Sequence, residues 1–281
     1  MNDVWFPPDA TTRAVRSTYA APGTMAPPRM DFRTAMFFLL TTSCIASAFA
    51  CFVGSFGIPG LRRVTSPAYR ASLASAGIAF AYRLLYSSKL EKRDFASARK
   101  LVATQTSTNG FHYLLYIACF WMAPRPVPTV LAPLALCAGL QWITIAHKHF
   151  AHTRFYGTLK LAALHARAQE GMMQAMMTCA TMEISMAMVL VMELFTPARS
   201  VARFVAYANY LRMRYACDDD TVFRIKYTYM NSGFYHREFW KKIGEGAGPI
   251  VDRLGPVKGV VDAVKRWFTA GLKNKSGAKT A

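Results

Sequence analysis

The sequence predicts an all-α, polytopic helical membrane protein with four to six spans and a basic amphipathic helix near its C-terminus. Its 281 residues are 53% hydrophobic, yet the chain carries a formal net charge of +19. The charges are segregated, because long apolar blocks alternate with short blocks rich in lysine and arginine. Charged side chains are costly in hydrocarbon and gather in the loops between spans, so this segregation is typical of a membrane protein.

Three regions follow from this pattern. We expect a disordered arm containing Pro and Arg over 1–31, a helical membrane domain over 32–230 and a basic amphipathic tail over 231–281. The arm has no apolar segment of the kind found in secretory signals. Its arginines are a feature of mitochondrial presequences, but Asp3, Asp9 and its prolines oppose the amphipathic helix that a presequence needs.

Apolar blocks supply the candidate spans. They lie at about 34–58, 71–88, 111–122, 129–146 and 171–195. The first is long enough to cross roughly 30 Å of hydrocarbon. The second is rich in small residues, which predicts close packing against another helix.

The basic segments constrain the topology. The segments 89–100 and 147–167 and the tail are all basic, and the positive-inside rule puts all three on the cytosolic side. Five crossings cannot satisfy this rule, because the fifth would place the tail on the side opposite to the segment 147–167. Either the segment 200–215 returns through the membrane, or the fifth block lies partly in the interface.

Two ionisable residues fall inside these apolar blocks. Glu183 lies near the centre of the fifth block, and Arg83 lies near the end of the second. An unpaired carboxylate in hydrocarbon is costly, so we expect Glu183 to be neutral or paired and to hold two helices together, with Arg83 as a candidate partner. A proton relay or transporter normally needs more ionisable groups at this depth.

His147, His149 and His152 are the best candidates for a metal site. Imidazoles suit zinc or iron, but membrane di-iron enzymes use several histidine boxes, and the other histidines form no second box. Spacings of two and five do not place all three on one helix face. The methionine thioethers of the fifth block are suited to binding Cu(I), but methionine also fills space in ordinary helix interfaces, and we favour packing. We therefore expect no metal, no cofactor and no catalytic residue, and the chain also lacks the common hydrolase and nucleotide-binding motifs.

The tail has the most informative pattern. Apolar residues from Ile250 to Phe268 recur at spacings of four and three, which places them on one helix face, and most of the cations lie elsewhere. Such a helix is suited to a membrane interface with anionic lipid headgroups. The predicted membrane-binding residues are Leu254, Val257, Val261, Val264, Lys265, Arg266, Trp267 and Phe268.

Two alternatives for the tail stay open. Its apolar face is also suited to packing against the protein's own helices, and its cations are also suited to recognition by a transport receptor. A nucleic-acid partner is not expected, because the sequence contains no nucleic-acid-binding motif that would accompany its charge.

Several segments, taken together, resemble the transmembrane protein 33 family. They are AYRASLASAGIAFAYRL, HYLLY at 112–116, the Met-rich helix with Glu183 and YLRMRY at 210–215, in the family's order over about 31–230. The resemblance implies a non-enzymatic protein of the endoplasmic reticulum and nuclear envelope that shapes tubular membrane or supports nuclear pore assembly. It implies reticulon-like proteins, nucleoporins or an import receptor as partners. The Pro-rich arm, the HKHFAH run and the acidic cluster 218–220 depart from the family's pattern.

Two other interpretations are distinguishable by experiment. An accessory membrane subunit of a mitochondrial respiratory or ATP synthase complex would also be basic and helical, and would lie in the mitochondrial inner membrane. A membrane enzyme or transporter would be built around the histidine run and Glu183. Cellular location tests the first interpretation, and metal content tests the second.

Overall fold

The computed structural model describes residues 30–56, 62–87, 108–197, 199–216, 232–253 and 256–277. Within these segments the secondary structure is helical, with no strand, which confirms the predicted all-α class. The helices are α1 (Phe32–Ser55), α2 (Arg62–Ser87), α3 (Asn109–Trp121), α4 (Leu131–Phe150) with the 3-10 turn Pro128–Val130 before it, α5 (Arg154–Thr158), α6 (Leu161–Glu170), α7 (Met172–Glu193), α8 (Val201–Ala216), α9 (Ser232–Arg253) and α10 (Pro256–Gly277).

Side chains that cap the first turn define where three of these helices begin. Asp31 accepts a hydrogen bond from the backbone N–H of Thr34 at 3.0 Å and so caps α1. Thr108 and Thr153 cap α3 and α5 in the same way. Each side-chain oxygen satisfies one of the backbone donors that a helix N-terminus leaves without an intrahelical partner.

Three of the described helices are long and apolar enough to cross a membrane. They are α1, α4 together with its 3-10 turn, and α7. The helix α3 is apolar but shorter, and α2 carries arginines at its start and along its length. The structure thus contains the predicted membrane-spanning helices, but four to six spans are not confirmed.

The helices α1, α2 and α3 pack closely because small residues line their contacts. Ser72 of α2 donates a hydrogen bond to the backbone carbonyl of Cys44 in α1 at 3.1 Å. Gly77, one helical turn further along α2, faces Ile117 of α3. The close packing predicted for the small-residue block of α2 is therefore observed.

The helix α8 runs back along the second half of α7. Arg203, near the start of α8, pairs with Glu193 at the end of α7. Further along α8, the hydroxyl of Tyr207 donates to the backbone carbonyl of Glu183 at 2.6 Å. The tyrosines of α8 also pack on Tyr116 and Phe120 of α3, so α8 closes one side of the core.

The tail consists of two helices rather than one. The helix α9 ends at Arg253 and α10 begins at Pro256, the first helical position, where proline is well tolerated. Leu254 lies outside the described residues, as does almost all of the predicted N-terminal arm. The predicted boundary at residue 231 falls just before α9, whose first turns place Tyr235 and His236 in the buried core.

Candidate functional site: a buried charged cluster and a docked tail

Glu183 lies in a fully buried cluster of charged and polar side chains. Its carboxylate is hydrogen-bonded to three side chains: Tyr113 of α3, Arg214 of α8 and His236 of α9. All four side chains are buried. The cluster therefore joins four helices at one point inside the protein.

The geometry matches an arginine–carboxylate pair with two parallel hydrogen bonds. Arg214 donates to the two carboxylate oxygens of Glu183 at 3.1 and 3.0 Å. The imidazole Nε2 of His236 lies 2.9 Å from one of these oxygens, and the hydroxyl of Tyr113 donates to the other at 2.9 Å. Arg214 also donates to the Tyr113 hydroxyl at 3.1 Å.

This arrangement compensates for the burial of two charges. Moving an ion out of water costs several kcal/mol, and the attraction between the partners repays this only when hydrogen bonds satisfy both groups. Here both carboxylate oxygens accept two side-chain hydrogen bonds each, and the guanidinium is planar and matched to the carboxylate. The cluster is suited to fixing how α7, α8, α9 and α3 pack together.

The spacing of residues in α8 explains why its arginines turn inward. Arg203, Tyr207, Tyr210 and Arg214 follow one another at intervals of four, three and four, which places them on one face of the helix. All four are buried, whereas Val201 and Val205 are exposed. The stripe is visible in the sequence, and it indicates that Arg203 and Arg214 face inward.

Glu183 is paired, but Arg83 is not its partner in the described structure. Arg83 is half-buried in the last turn of α2 and does not contact the carboxylate. The correct partner, Arg214, lies 31 residues after Glu183. His236 was also missed, because a single histidine at the start of the tail carries no pattern that links it to α7.

The aromatic residues of α10 dock on α8 and α9. The ring of Phe268 lies against Tyr215 and Trp240, with ring centroids 5.9 and 5.6 Å apart. The guanidinium of Arg212 lies over the ring of Trp267, 4.9 Å from its centroid. This packing corresponds to the alternative in which the apolar face of the tail contacts the protein's own helices.

Other predicted membrane-binding residues of α10 remain exposed. Val264 is 48% exposed and Trp267 is 37% exposed. Lys265 and Arg266 are exposed as well, and Val261 is half-buried. Leu254 and the side chain of Val257 are outside the described part. On α10 the exposed Val264, Lys265 and Arg266 therefore lie close to the docked Phe268.

The histidine run does not converge on one point. His147 and His149 belong to α4, and His152 lies in the turn after it. His147 Nδ1 lies 2.7 Å from the hydroxyl of Tyr156, and its ring stacks on His165 at 4.0 Å. Burial, together with the neighbouring His147, lowers the pKa of His165. In the described residues no three His, Cys, Asp or Glu side chains are placed to hold one metal ion.

Three methionines of α7 take part in core packing, whereas Met173, Met188 and Met192 are exposed. Met176 and Met186 are buried in the main core, and Met186 Sδ accepts a hydrogen bond from Thr129 at 3.4 Å. Buried methionines of this kind adapt their shape to fill irregular space in a core.

The fold and the cluster define an α-helical integral membrane protein whose C-terminal helices are attached to its spans through buried charges. The family model described as Transmembrane protein 33/Nucleoporin POM33 matches residues 29–236. The chain belongs to this family, as its sequence motifs predicted. The matched region contains every residue of the charged cluster, and α10 lies beyond it. No match is found among curated proteins or among solved structures.

Family membership also fixes the cellular location. The family is associated with the membranes of the endoplasmic reticulum and nuclear envelope, and the three long apolar helices are compatible with insertion into them. The predicted localisation is therefore confirmed, in preference to the mitochondrial inner membrane.

Proposed function

We propose that this protein is a non-enzymatic membrane scaffold that shapes tubular membrane or supports nuclear pore assembly. In this role the spans anchor the chain, and α10 binds the surface of the membrane. The observation that carries the proposal is the exposure of Val264, Lys265 and Arg266 on a helix that is attached to the membrane domain. Family membership supports the association with nuclear pores, because the family description names a nucleoporin.

The physical basis is the asymmetry of the bilayer around such a helix. A helix that enters only one leaflet expands that leaflet relative to the other, and this favours curvature without any chemical reaction. Each well-placed Lys or Arg adds about 1 kcal/mol of attraction to an anionic surface. Docking of Phe268 on α8 and α9 holds the helix beside the spans, so its exposed residues meet the membrane close to the anchor.

A liposome assay tests the role of α10. The purified full chain is reconstituted into vesicles that contain anionic lipid, and the vesicle shape is imaged. We expect tubules with the wild-type chain and rounder vesicles with Val264→Asp, because a carboxylate on this face opposes insertion. Ala270→Asp is the matched control, since Ala270 is exposed and lies about 120° around the helix from Val264. Equal shapes with both variants would remove α10 from the mechanism.

Flotation of the isolated tail tests the membrane face that the sequence predicts, without the spans. A fusion of residues 231–281 to a soluble carrier should float with anionic vesicles, and Val261→Asp together with Phe268→Asp should release it. Binding that survives both changes would contradict the predicted membrane face.

Fluorescence microscopy tests the association with nuclear pores. An internal tag in the segment 89–100 leaves both termini free. We expect a reticular signal and a nuclear rim that overlaps a pore marker. A reticular signal that avoids pores would limit the proposal to membrane shaping, and import receptors or reticulon-like proteins would then be sought by crosslinking.

A further inference from the structure

The segment 151–171, between α4 and α7, has a second surface that the proposed function does not use. It contains α5 and α6, with a turn at Leu159 and Lys160 between them. Lys160 has a positive φ of 51°, which is uncommon for a residue other than glycine and allows the sharp change in direction. The next helix, α7, begins directly after this segment.

One side of this segment is attached to α4. Tyr156 and Leu161 are buried against Ile143, with Trp142 and Phe150 beside them. The contacts described above between His147 and the side chains of Tyr156 and His165 add polar ties to the same face. The position of α5 and α6 relative to α4 is therefore set by packing.

This packing places the segment beside the last turns of α4. Ile143 lies seven residues before the end of α4, or about 10 Å at 1.5 Å per residue. A loop in the aqueous phase would extend beyond the last turn of a spanning helix rather than lie beside its last two turns. A membrane that is crossed by α4 and α7, which are both long and apolar enough to span, would have its headgroups at the level of α5 and α6.

The other side of the segment is apolar and basic. Phe155, Leu159 and Leu164 are 63%, 49% and 52% exposed. Leu159 directly follows α5, and its backbone N–H donates to the carbonyl of Phe155, one helical turn earlier, so the two residues lie on the same side of the segment. Arg154, Lys160 and Arg167 are also exposed, and Glu170 is the one acidic residue in the segment.

We propose that α5 and α6 form a second membrane anchor, in which Phe155, Leu159 and Leu164 enter the boundary between headgroups and acyl chains. The cations Arg154, Lys160 and Arg167 bind the phosphates and carboxylates of anionic phospholipids. Apolar side chains flanked by cations at this depth are the features that hold interfacial helices in place. This anchor is separate from α10, and its test does not depend on the proposed scaffold function.

Depth measurements on the full chain in vesicles test the proposal. A fluorescent label is attached to Leu159→Cys, Leu164→Cys or Ala162→Cys, with Cys217 replaced by Ser. The five other cysteines are buried, and the parent without a new cysteine measures their labelling. Ala162 is the matched control because it is exposed on the other flank of α6 from Leu164. We expect quenching by spin-labelled lipids at 159 and 164, and quenching by aqueous iodide at 162. Iodide quenching at 159 and 164 equal to that at 162 would overturn the proposal.

A second comparison tests the lipid charge. In vesicles containing phosphatidylserine, the label at 159 should be better protected from iodide than in vesicles of phosphatidylcholine alone. The triple variant Arg154→Gln, Lys160→Gln, Arg167→Gln should lose this increase. The charge-matched control Lys241→Gln, Lys242→Gln, Arg253→Gln, which changes exposed cations of α9, should keep it. An equal loss in both variants would show a general charge effect and would overturn the assignment to this segment.

Discussion

The buried cluster around Glu183 and the exposed surface of α10 use the same residue types in opposite ways. In the cluster, Arg214 is buried and its charge is matched by a carboxylate. On α10, Lys265 and Arg266 are exposed, and in the structure Val264 beside them is exposed too. The comparison shows that arginines in this chain divide into those that hold helices together and those that are available to a partner. Burial, rather than local sequence composition, decides which class a residue belongs to.

The largest expected effect comes from breaking the buried pair. Glu183→Gln keeps the shape of the side chain but leaves the Arg214 guanidinium buried without a countercharge, and this should lower the free energy of unfolding by about 3–5 kcal/mol. A denaturant titration in detergent measures this change in the free energy of unfolding. Unfolding is followed with a thiol-reactive dye, because five cysteines are free and buried in the folded chain.

Two controls define this first prediction. Glu170→Gln removes an exposed carboxylate and should change the stability by no more than about 0.5 kcal/mol. The double variant Glu183→Gln, Arg214→Gln should lose less than the sum of the single changes, because the partners interact directly. Additive losses would contradict the pairing.

A smaller effect is expected from Tyr113→Phe. The change removes one hydroxyl that donates to the carboxylate of Glu183, and keeps the ring stacked on Phe80. A hydrogen bond to a charged group contributes about 1.5–3 kcal/mol, so the stability should fall by that amount. The same denaturant titration measures this loss of stability. The control is Tyr215→Phe, which removes a hydroxyl outside the cluster. A loss no larger than that of the control would show that the Tyr113 hydroxyl is dispensable.

The smallest effects distinguish the two faces of α10. Phe268→Ala removes a ring that packs on Trp240 and Tyr215, and should cost about 1–2 kcal/mol because the ring is only partly buried. Val264→Asp changes an exposed residue and should stay within about 0.5 kcal/mol in detergent, although it weakens membrane binding. If Val264→Asp unfolds the chain as readily as Phe268→Ala, the valine is part of the core and the division of α10 into two surfaces is wrong.

Much of the fold could be predicted because hydropathy alone identifies long spans. The blocks that form α1, α4 and α7 were visible as long apolar runs, and Glu183 was recognised because a carboxylate in such a run needs a partner. Arg214 was harder to assign, since the three arginines of its helix offset the apolar residues, and hydropathy does not separate it from a surface helix. The spacing of the buried stripe in α8 contains that information, but only once α7 is known to lie beside it.

Other features depend on tertiary contacts that no local sequence pattern indicates. The docking of Phe268 on Trp240 joins residues whose periodicity predicts an apolar face but does not say what covers it. The contacts that attach α6 to α4, through Leu161 and His165, depend on the turn at Lys160, and lysine gives no sequence signal for a left-handed conformation. In the tail the pattern predicted an amphipathic surface, and packing determined what covers part of it.

The attachment of α8 and α9 to one carboxylate has a mechanical consequence. Arg214 and His236 bind Glu183 from two helices, and Tyr207 binds the backbone of the same residue. A pull on α10, such as the proposed membrane binding would produce, would pass to α8 and α9 and from there to α7 through hydrogen bonds that share the load. Hydrogen bonds that are loaded in parallel resist sliding of the helices better than hydrogen bonds that break one after another. The tail can therefore transmit tension from the membrane surface to the spans without detaching from them.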